Sequence, residues 1–255
     1  MSTLTNSLIH LDNNIVFAAT TMKNVDLPEK NNMALHVCVN PEEVLKNRYR
    51  LEKELELPLS NWVLPWQKHT ANLVRVTKED LGKGALDANT SIMNTDAVFT
   101  TEKNTLIGVF TADCIGLVLV DESTPCVCTI HSGWKGTAQA ITYKSAKYLI
   151  DQGFMKPENV KAYFSPSIQY DSLEVGMEVV DLMKELPFDL ESYIRYMPNE
   201  KAYIDNQGIN IEMLRSLGIT QIYPSSYDTK KERDNCFSYR AERPTGEHFT
   251  FAYLK

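Results

Sequence analysis

The sequence lacks a long apolar stretch. No run of apolar residues approaches the ~20 that a helix needs to cross a bilayer. The first residues, Met1–Asn6, carry neither the basic segment nor the apolar segment of a secretory signal peptide. We therefore expect a cytoplasmic protein with no membrane partner.

The chain also lacks internal repeats, low-complexity tracts and any linker rich in proline, glycine and serine. Repeats would indicate a solenoid or propeller, and such a linker would indicate a domain boundary. With 255 residues, of which 43% are hydrophobic, the chain is long enough to bury a large core. We expect a single domain over residues 1–255.

Positive charge is scarce: 26 Lys and Arg residues face 33 Asp and Glu residues, for a net charge of −7. Non-specific binding to nucleic acid or to anionic membranes depends on a basic surface. The charge balance therefore argues against a nucleic-acid partner and favours a small-molecule partner. It does not indicate an oligomeric state.

Cysteine is also rare, with five residues at positions 38, 114, 126, 128 and 236. An odd number without a repeated spacing does not form a disulfide framework, so free thiols in a reducing compartment are expected. Cys126 and Cys128 lie two residues apart in a predicted strand. We expect their thiols to point to opposite faces and interpret both as small apolar strand residues, not as a metal-binding pair.

Short apolar segments bounded by turn residues predict a dense group of strands in the middle of the chain. These segments are 73–76, 97–100, 106–110, 116–120 and 126–130. Earlier strands are predicted over 15–19 and 35–39, and later ones over 162–164, 219–223 and 249–254.

Helix signals lie between and after these strands. Asn40 is followed by a proline and two acids, which is typical of a helix start, and Val44, Leu51 and Leu55 continue an apolar face that also includes Leu45 and Arg48. Further helices are predicted over 136–150, 175–186 and 210–217. Because the order is neither a strict βα alternation nor all-β, we expect a mixed α/β domain with helices packed outside sheets.

Three residues suggest chemistry at the ends of the predicted strands. His69 precedes the strand at Leu73, Cys114 stands between two central strands, and His131 ends the strand that begins at Cys126. Each alone is typical of a structural residue. Together, two imidazoles and a thiolate supply three positions of a tetrahedral zinc ion and leave the fourth for water or substrate. The residues by themselves also allow a Cys114/His131 catalytic dyad or ordinary core positions.

The segments around these residues resemble a known family. Thr111–Cys114 together with His131–Thr137 resembles the signature of the YfiH-type laccase-domain family, also described as polyphenol oxidases and as purine nucleoside phosphorylases. Further resemblances cover most of the chain: 40–57, the family's N-terminal helix; 67–69, its Gln-x-His element; 95–100, its Asp-Ala strand; 165–168, its Gly-Pro-Ser-Ile turn; and 237–240, its Phe-Ser-Tyr-Arg strand.

The resemblance implies a layered α/β/β/α domain of the cytotoxic-necrotizing-factor/YfiH-like type, with the site at strand ends. It implies that His69, Cys114 and His131 are catalytic residues and zinc ligands. The implied activities are phosphorolysis of adenosine, inosine or 5′-methylthioadenosine to base and pentose 1-phosphate, and hydrolytic deamination of adenosine. Zinc held in this way would lower the pKa of a bound water, which suits the deamination.

Phosphorolysis also requires an anion site beside the metal. The candidates are the backbone amides of Gly136 and Thr137 at the predicted helix start, the side chain of Lys135, and Arg240 from the Phe-Ser-Tyr-Arg strand. Without the family motif, Lys135 and Arg240 would be interpreted as solvated surface charges.

The chain departs from the family pattern at two places. Where relatives carry an arginine followed by a Gly-Gly loop, it has residues 19–24, in which Lys23 is the remaining positive charge. After the Phe-Ser-Tyr-Arg strand, Ala241 replaces a second basic residue, and Glu247 stands where a Gly-Arg pair is usual. Because a lysine cannot reproduce a bidentate guanidinium contact, we expect altered phosphate or substrate selectivity with the metal ligands intact.

The same residues also allow other functions. Cys114 and His131 could act as a cysteine hydrolase or amidase, an activity linked in related proteins to the editing of peptidoglycan precursors. The missing basic residues would also suit a non-catalytic metal-binding protein. Copper-dependent phenol oxidation fits least well, because a multicopper centre demands more histidines than five, of which His10 is expected in a flexible terminus. A single copper ion remains an alternative to zinc at the same ligands.

Overall fold

Residues 4–255 are described by a computed structural model, and within them the apolar segments form strands that pair into sheets. The strands are β1 Ser7–Asp12, β2 Val16–Thr21, β3 Trp62–Val63, β4 Pro65–Trp66, β5 Leu73–Arg75, β6 Ile92–Met93, β7 Ala97–Thr100, β8 Leu106–Thr111, β9 Ile115–Asp121, β10 Cys126–Ser132, β11 Lys161–Phe164, β12 Glu174–Gly176, β13 Ile194–Met197, β14 Lys201–Ile204, β15 Gln221–Tyr223 and β16 His248–Leu254.

The helical segments are fewer. The α-helices are α1 Pro41–Leu55, α2 Trp134–Ala138, α3 Ile141–Asp151, α4 Met177–Lys184 and α5 Asn206–Arg215. Single 3₁₀ turns cover Pro28–Asn31, Leu59–Asn61, Lys78–Asp80, Ala88–Thr90, Pro157–Asn159 and Glu191–Tyr193. No helix within residues 4–255 combines the length and apolar character needed to cross a membrane.

Two mixed sheets dominate the architecture. One has the strand order β1-β2-β16-β8-β3, antiparallel except for the β8/β3 pair. The other has the order β15-β11-β9-β10-β7-β5, with parallel pairs at its two edges. A small antiparallel sheet, β12-β14-β13, packs with α4, and β4 pairs with β6.

The two large sheets pack face to face, because strand alternation gives each of them an apolar inner face. This inner core includes Val16, Val63, Ile107 and Ala252 from the first sheet and Val98, Val118, Val120 and Val127 from the second. The outer face of the first sheet packs against α1 through Leu51 and Leu55, and that of the second against α3 and α5. The expected mixed α/β fold with α/β/β/α layers is confirmed.

Helix α1 begins as its sequence predicts. The side chain of Asn40 accepts a hydrogen bond of 3.0 Å from the amide of Glu42, Pro41 occupies the first helical position, and the helix ends before Glu56 in the left-handed region. Its inward face includes Arg48, which is 2% exposed. Three backbone carbonyls, those of Met33, Gly84 and Ala85, accept the hydrogen bonds of its guanidinium.

Several expectations need correction. Residues 35–39 form turns, because the side chain of Asn32 bonds the backbone at Ala34 and Val37 and holds the segment curled. The helix predicted over 136–150 is divided into α2 and α3 by Ala140, whose φ is 58°. The predicted 175–186 helix begins two residues later, after β12.

Two side-chain placements also differ from expectation. Cys126 and Cys128 are both buried in the core beneath α3, so the expectation of opposite faces was wrong: residues two apart on a strand share a face. Their interpretation as apolar strand residues is confirmed. His10 lies in β1, where its Nε2 atom is 2.8 Å from Thr20 Oγ1, and not in a flexible terminus.

Candidate metal centre

The site forms where two neighbouring strands of the six-stranded sheet end. In β10, His131 pairs with Gly116 of β9, so the turn that precedes β9 lies beside it. Cys114 belongs to that turn, between β8 and β9. His69 comes from the loop between β4 and β5. The sheet register therefore brings together three residues that are far apart in the sequence.

The three side chains converge on one point. One ligand atom from each of His69, Cys114 and His131 can be chosen so that all lie within 4.8 Å of one another. Cys114 Sγ is 3.9 Å from His69 Nε2, and the two imidazole rings are 4.7 Å apart at 77°. His131 is buried, Cys114 is half-buried and His69 is exposed. The cluster is thus closed on the protein side and open to solvent on the other.

Asp96 organises both histidines from a fully buried position immediately before β7. Its Oδ1 atom accepts from His131 Nδ1 over 2.8 Å and from the His69 amide over 3.0 Å. Its Oδ2 atom accepts from the amides of Lys68 (3.1 Å) and Thr70 (2.7 Å). An ionised carboxylate only accepts hydrogen bonds, so His131 Nδ1 carries a proton and Nε2 is the ring nitrogen left to face the cluster, where a bound metal would replace any proton on it.

The charged forms of Cys114, His131 and Asp96 stabilise one another electrostatically. Burial raises the pKa of the Cys114 thiol, but the charge of His131 and hydrogen bonds from both histidines outweigh burial and lower it to about 7. Burial lowers the pKa of His131, but the Cys114 thiolate and Asp96 raise it to about 10. Burial raises the pKa of Asp96, while its bonds to His131 and Thr70 lower it to about 2. The thiolate is therefore accessible at neutral pH, as a metal ligand requires.

The backbone around the cluster is unusual. His69 has φ 57° and Asp113 has φ 86°, in the left-handed region that non-glycine residues rarely adopt. Asp113 is held there because its carboxylate accepts from Thr229 Oγ1 and from the Arg240 amide, each over 2.6 Å. Gly133 leaves room for the thiolate, since a Cβ at this position would stand 2.6 Å from Cys114 Sγ. Such local strain clusters at functional sites.

A cavity of about 330 Å³ opens over His69 and Cys114. We call it the metal cavity. Its walls carry three positive side chains, Lys135, Arg240 and Arg243, and two aromatic rings, Trp134 and Tyr239. Lys135 lies over the ring of Trp134 at 5.5 Å, and Arg243 over the ring of Tyr239 at 4.1 Å. Although the chain is acidic overall and Asp113 also lines this cavity, its three basic side chains give the wall a net positive charge.

The structure separates the residues suggested for anion binding into two groups. Lys135 and Arg240 line the metal cavity, although one Arg240 nitrogen also donates to the carbonyl of Glu174 over 2.9 Å. Gly136 and Thr137 are buried behind the wall. The Thr137 amide is already bonded to the Gly133 carbonyl over 2.9 Å, so it is not available to a ligand. The side chains therefore remain as the candidate anion ligands.

Sequence reasoning missed Asp96, Arg243 and Asn206 as members of the site. Arg243 has no motif signal of its own, and it follows by two residues Ala241, which replaces the family's second basic residue. The amide nitrogen of Asn206 donates to the Ser132 carbonyl over 3.1 Å, and its Oδ1 atom is buried with no hydrogen-bond partner among residues 4–255. Lys23 does not compensate for the absent N-terminal arginine, because its ammonium bonds the Arg233 carbonyl over 2.7 Å, away from the cavity.

The donor set fits a transition metal with one open position. One thiolate and two imidazoles suit zinc and also copper, and the exposed side of His69 leaves access for water or substrate. The hydrogen bond from His131 to Asp96 is the carboxylate–histidine contact that commonly orients a metal-bound imidazole.

The chain is similar to known proteins over most of its length. A family model described as multi-copper polyphenol oxidoreductase laccase matches residues 21–255. The purine nucleoside phosphorylase YlmD of Bacillus subtilis strain 168 is 29% identical over 251 residues, which cover 96% of this chain and 90% of the relative. The purine nucleoside phosphorylase YlmD of Geobacillus stearothermophilus is 31% identical over 217 residues, 84% of this chain and 79% of the relative.

A solved structure shows the same fold. The hypothetical protein YfiH of Bacillus licheniformis superimposes with a TM-score of 0.91 and 27% sequence identity, over 97% of this chain and 99% of that one.

Proposed function

Because the chain belongs to the multi-copper polyphenol oxidoreductase laccase family, whose YlmD relatives are named purine nucleoside phosphorylases, we propose that it is a zinc-dependent purine nucleoside phosphorylase that also deaminates adenosine. Its substrates would be adenosine, inosine or 5′-methylthioadenosine together with phosphate. The observation that carries the proposal is the meeting of the His69, Cys114 and His131 ligand atoms within 4.8 Å at the floor of a basic cavity.

The basic walls would bind phosphate. Lys135, Arg240 and Arg243 present three positive charges on one cavity, whereas a site built only for a neutral nucleoside has no need of them. In phosphorolysis, a phosphate oxygen forms a bond to C1′ of the pentose while the C1′–N9 bond breaks. The purine leaves with the bonding electrons and is protonated. The three side chains would hold the phosphate in line with C1′ and offset its charge.

The remaining polar groups would orient the nucleoside. Asn206 offers an acceptor to a hydroxyl or amino group of the substrate, and the half-exposed ring of Tyr239 offers a stacking surface for the purine. A metal bound to His69, Cys114 and His131 would supply Lewis-acid polarisation and, for deamination, an activated water. Asp96 holds the two histidines in position and excludes the wrong tautomer of His131.

A second candidate is a cysteine hydrolase or amidase. It is favoured because Cys114, His131 and Asp96 lie next to one another in that order, like a catalytic triad. The lowered pKa of Cys114 and the orientation of His131 by a carboxylate are the features of an activated thiol nucleophile. Such an enzyme would act without metal. Copper-dependent phenol oxidation would need a redox metal at the same ligands.

One set of measurements separates these functions. Purified protein is assayed with adenosine, inosine and 5′-methylthioadenosine, with and without phosphate, after chelation and after addition of zinc or copper. We expect phosphate-dependent release of free base, ammonia release from adenosine, and loss of both on zinc removal or in His69→Ala, Cys114→Ala and His131→Ala. Full turnover after complete metal removal, with a covalent adduct on Cys114, would instead establish the cysteine hydrolase.

A further inference from the structure

A second cavity of about 720 Å³ lies beside the metal cavity. Apolar side chains form much of its wall, among them Val37, Val39, Phe237 and Pro244. We call it the apolar groove. Its volume and that of the metal cavity both fall within the range of about 300–1,000 Å³ found for small-molecule sites.

The two cavities share a wall. Tyr239 and Arg243 line both of them. The guanidinium of Arg243 stacks over the Tyr239 ring at 4.1 Å, and its Nε atom donates to the Tyr239 carbonyl over 3.1 Å. Both side chains are exposed at the rim. This exposed pair is therefore the boundary over which a ligand in the metal cavity would reach the apolar groove.

Four charged residues line the groove, and its two acids, Glu29 and Glu242, balance its two bases, Lys30 and Arg243. The carboxylate of Glu29 accepts the amides of Val39 (3.0 Å) and Asn40 (2.7 Å). Lys30 and Glu242 pair with each other over 3.2 Å. Because these charges are offset locally, the groove suits an uncharged apolar group better than a second anion.

The groove is preformed. Its lip consists of residues 29–31, all three with positive φ. Helix α1 holds this lip, since the amide nitrogen of Asn47 donates to the carbonyls of Pro28 (2.7 Å) and Asn32 (2.9 Å). A wall that is already ordered costs a ligand little conformational entropy.

We propose that the apolar groove binds a bulky apolar substituent of the nucleoside in the metal cavity, so that the enzyme prefers purine nucleosides carrying such a group on C5′ of the pentose or on the base. This inference rests on the proposed function. It deepens that function by naming the substrate class.

The test compares phosphorolysis of adenosine, 5′-benzylthio-5′-deoxyadenosine and N6-benzyladenosine by the zinc-loaded enzyme. We expect kcat/KM for one benzyl compound to exceed that for adenosine by about tenfold, the effect of burying one aromatic group. The compound with the higher kcat/KM identifies whether the substituent that enters the groove is attached to the pentose or to the base. If neither benzyl compound exceeds adenosine, the inference is overturned.

A matched pair of variants locates the effect. Val37→Trp fills the groove and should reduce the ratio of kcat/KM between the preferred benzyl compound and adenosine to near one. The ratio cancels any general loss of activity. Val25→Trp introduces the same side chain at an exposed position that does not line the groove, and should keep the wild-type ratio. A wild-type ratio in Val37→Trp would contradict the inference.

Failure of the proposed function has a different signature. If none of the three nucleosides is turned over, the phosphorylase proposal fails. Calorimetric titration with the same compounds then tests whether the groove binds an apolar substituent. Tighter binding of a benzyl compound by about tenfold, lost in Val37→Trp, would support the groove as a ligand site. Equal binding of all three compounds, or binding of none, would overturn it.

Discussion

A single oxygen of Asp96 accepts a hydrogen bond from the ring of His131 over 2.8 Å and another from the backbone amide of His69 over 3.0 Å. The carboxylate thus connects two of the three candidate metal ligands, although it does not belong to the metal cavity wall. It fixes the tautomer of one histidine and the backbone position of the other.

Replacing Asp96 with asparagine should lower zinc affinity by about 10- to 100-fold, the usual effect of losing such a contact to a ligating histidine. The asparagine side chain places an NH₂ donor where one carboxylate oxygen was. This donor would face the backbone N–H groups that now donate to Oδ2, and those hydrogen bonds would be lost. Competition titration with a zinc-binding dye measures the affinity. Asp121→Asn is the matched control, because Asp121 is equally buried and also accepts loop amides, at Ser123 and Lys156, away from the metal ligands. Equal affinity in both variants would contradict the role of Asp96.

Gly133→Ala should disrupt the site without disrupting the fold. The backbone at Gly133 has φ −75° and ψ 173°, which alanine adopts freely, but the new Cβ would stand 2.6 Å from Cys114 Sγ. The thiolate must shift, and a displacement of about 1 Å at a catalytic group costs on the order of 100-fold in rate. Thermal unfolding and zinc titration are measured together. Wild-type zinc affinity and turnover in Gly133→Ala would show that the thiolate does not act from its present position.

Arg48→Lys should destabilise the fold by about 3 kcal/mol, because one buried ammonium cannot replace the fork of donors that reaches the carbonyls of Met33, Gly84 and Ala85. Urea unfolding measures the free energy. Arg50→Lys on the same helix is the control, since Arg50 is only partly buried, and its loss should cost less than about 1 kcal/mol. Similar values for the two variants would argue against a special role for the buried guanidinium.

Two histidines, the buried His248 and the half-buried His10, predict a fall in stability on mild acidification. Burial lowers the pKa of His10 and of His248 from 6.5 to about 4. Both remain neutral in the folded state, while the unfolded chain takes up protons below pH 6.5. Their contribution is therefore complete above pH 6.5 and is lost as the pH falls towards 4, by about 1.4 kcal/mol per pH unit for each histidine.

Urea unfolding at a series of pH values between about 5 and 8 tests this dependence. His10→Gln should remove about half of the slope of the unfolding free energy against pH below pH 6.5. An NMR titration that follows the ring of His248 reports its pKa directly. A histidine that titrates near 6.5 in the folded protein would contradict the assignment.

Much of the fold could be predicted from local patterns. The central strands and the start of α1 are correct because strand alternation and helix capping act over a few residues. The segment 35–39 was predicted wrongly, because its apolar composition resembles a strand while no neighbouring strand pairs with it. The break at Ala140 could not be predicted, since alanine favours a helix and the packing of α2 against α4 and α5 overrides that preference.

The sequence by itself determined the residue types of the site and the mixed α/β class, because these follow from local motifs and hydrophobic patterns, while the expected layer order came from the family resemblance. Only the tertiary structure decided which distant residues meet. It brought His69 to Cys114, placed Asp96 beneath both histidines, added Arg243 and Asn206 to the cavity, and left Gly136 and Thr137 behind its wall. The physical reason is that hydrogen bonds and charge contacts depend on distances of a few ångströms, which the register of β9 and β10 sets and which no local pattern encodes.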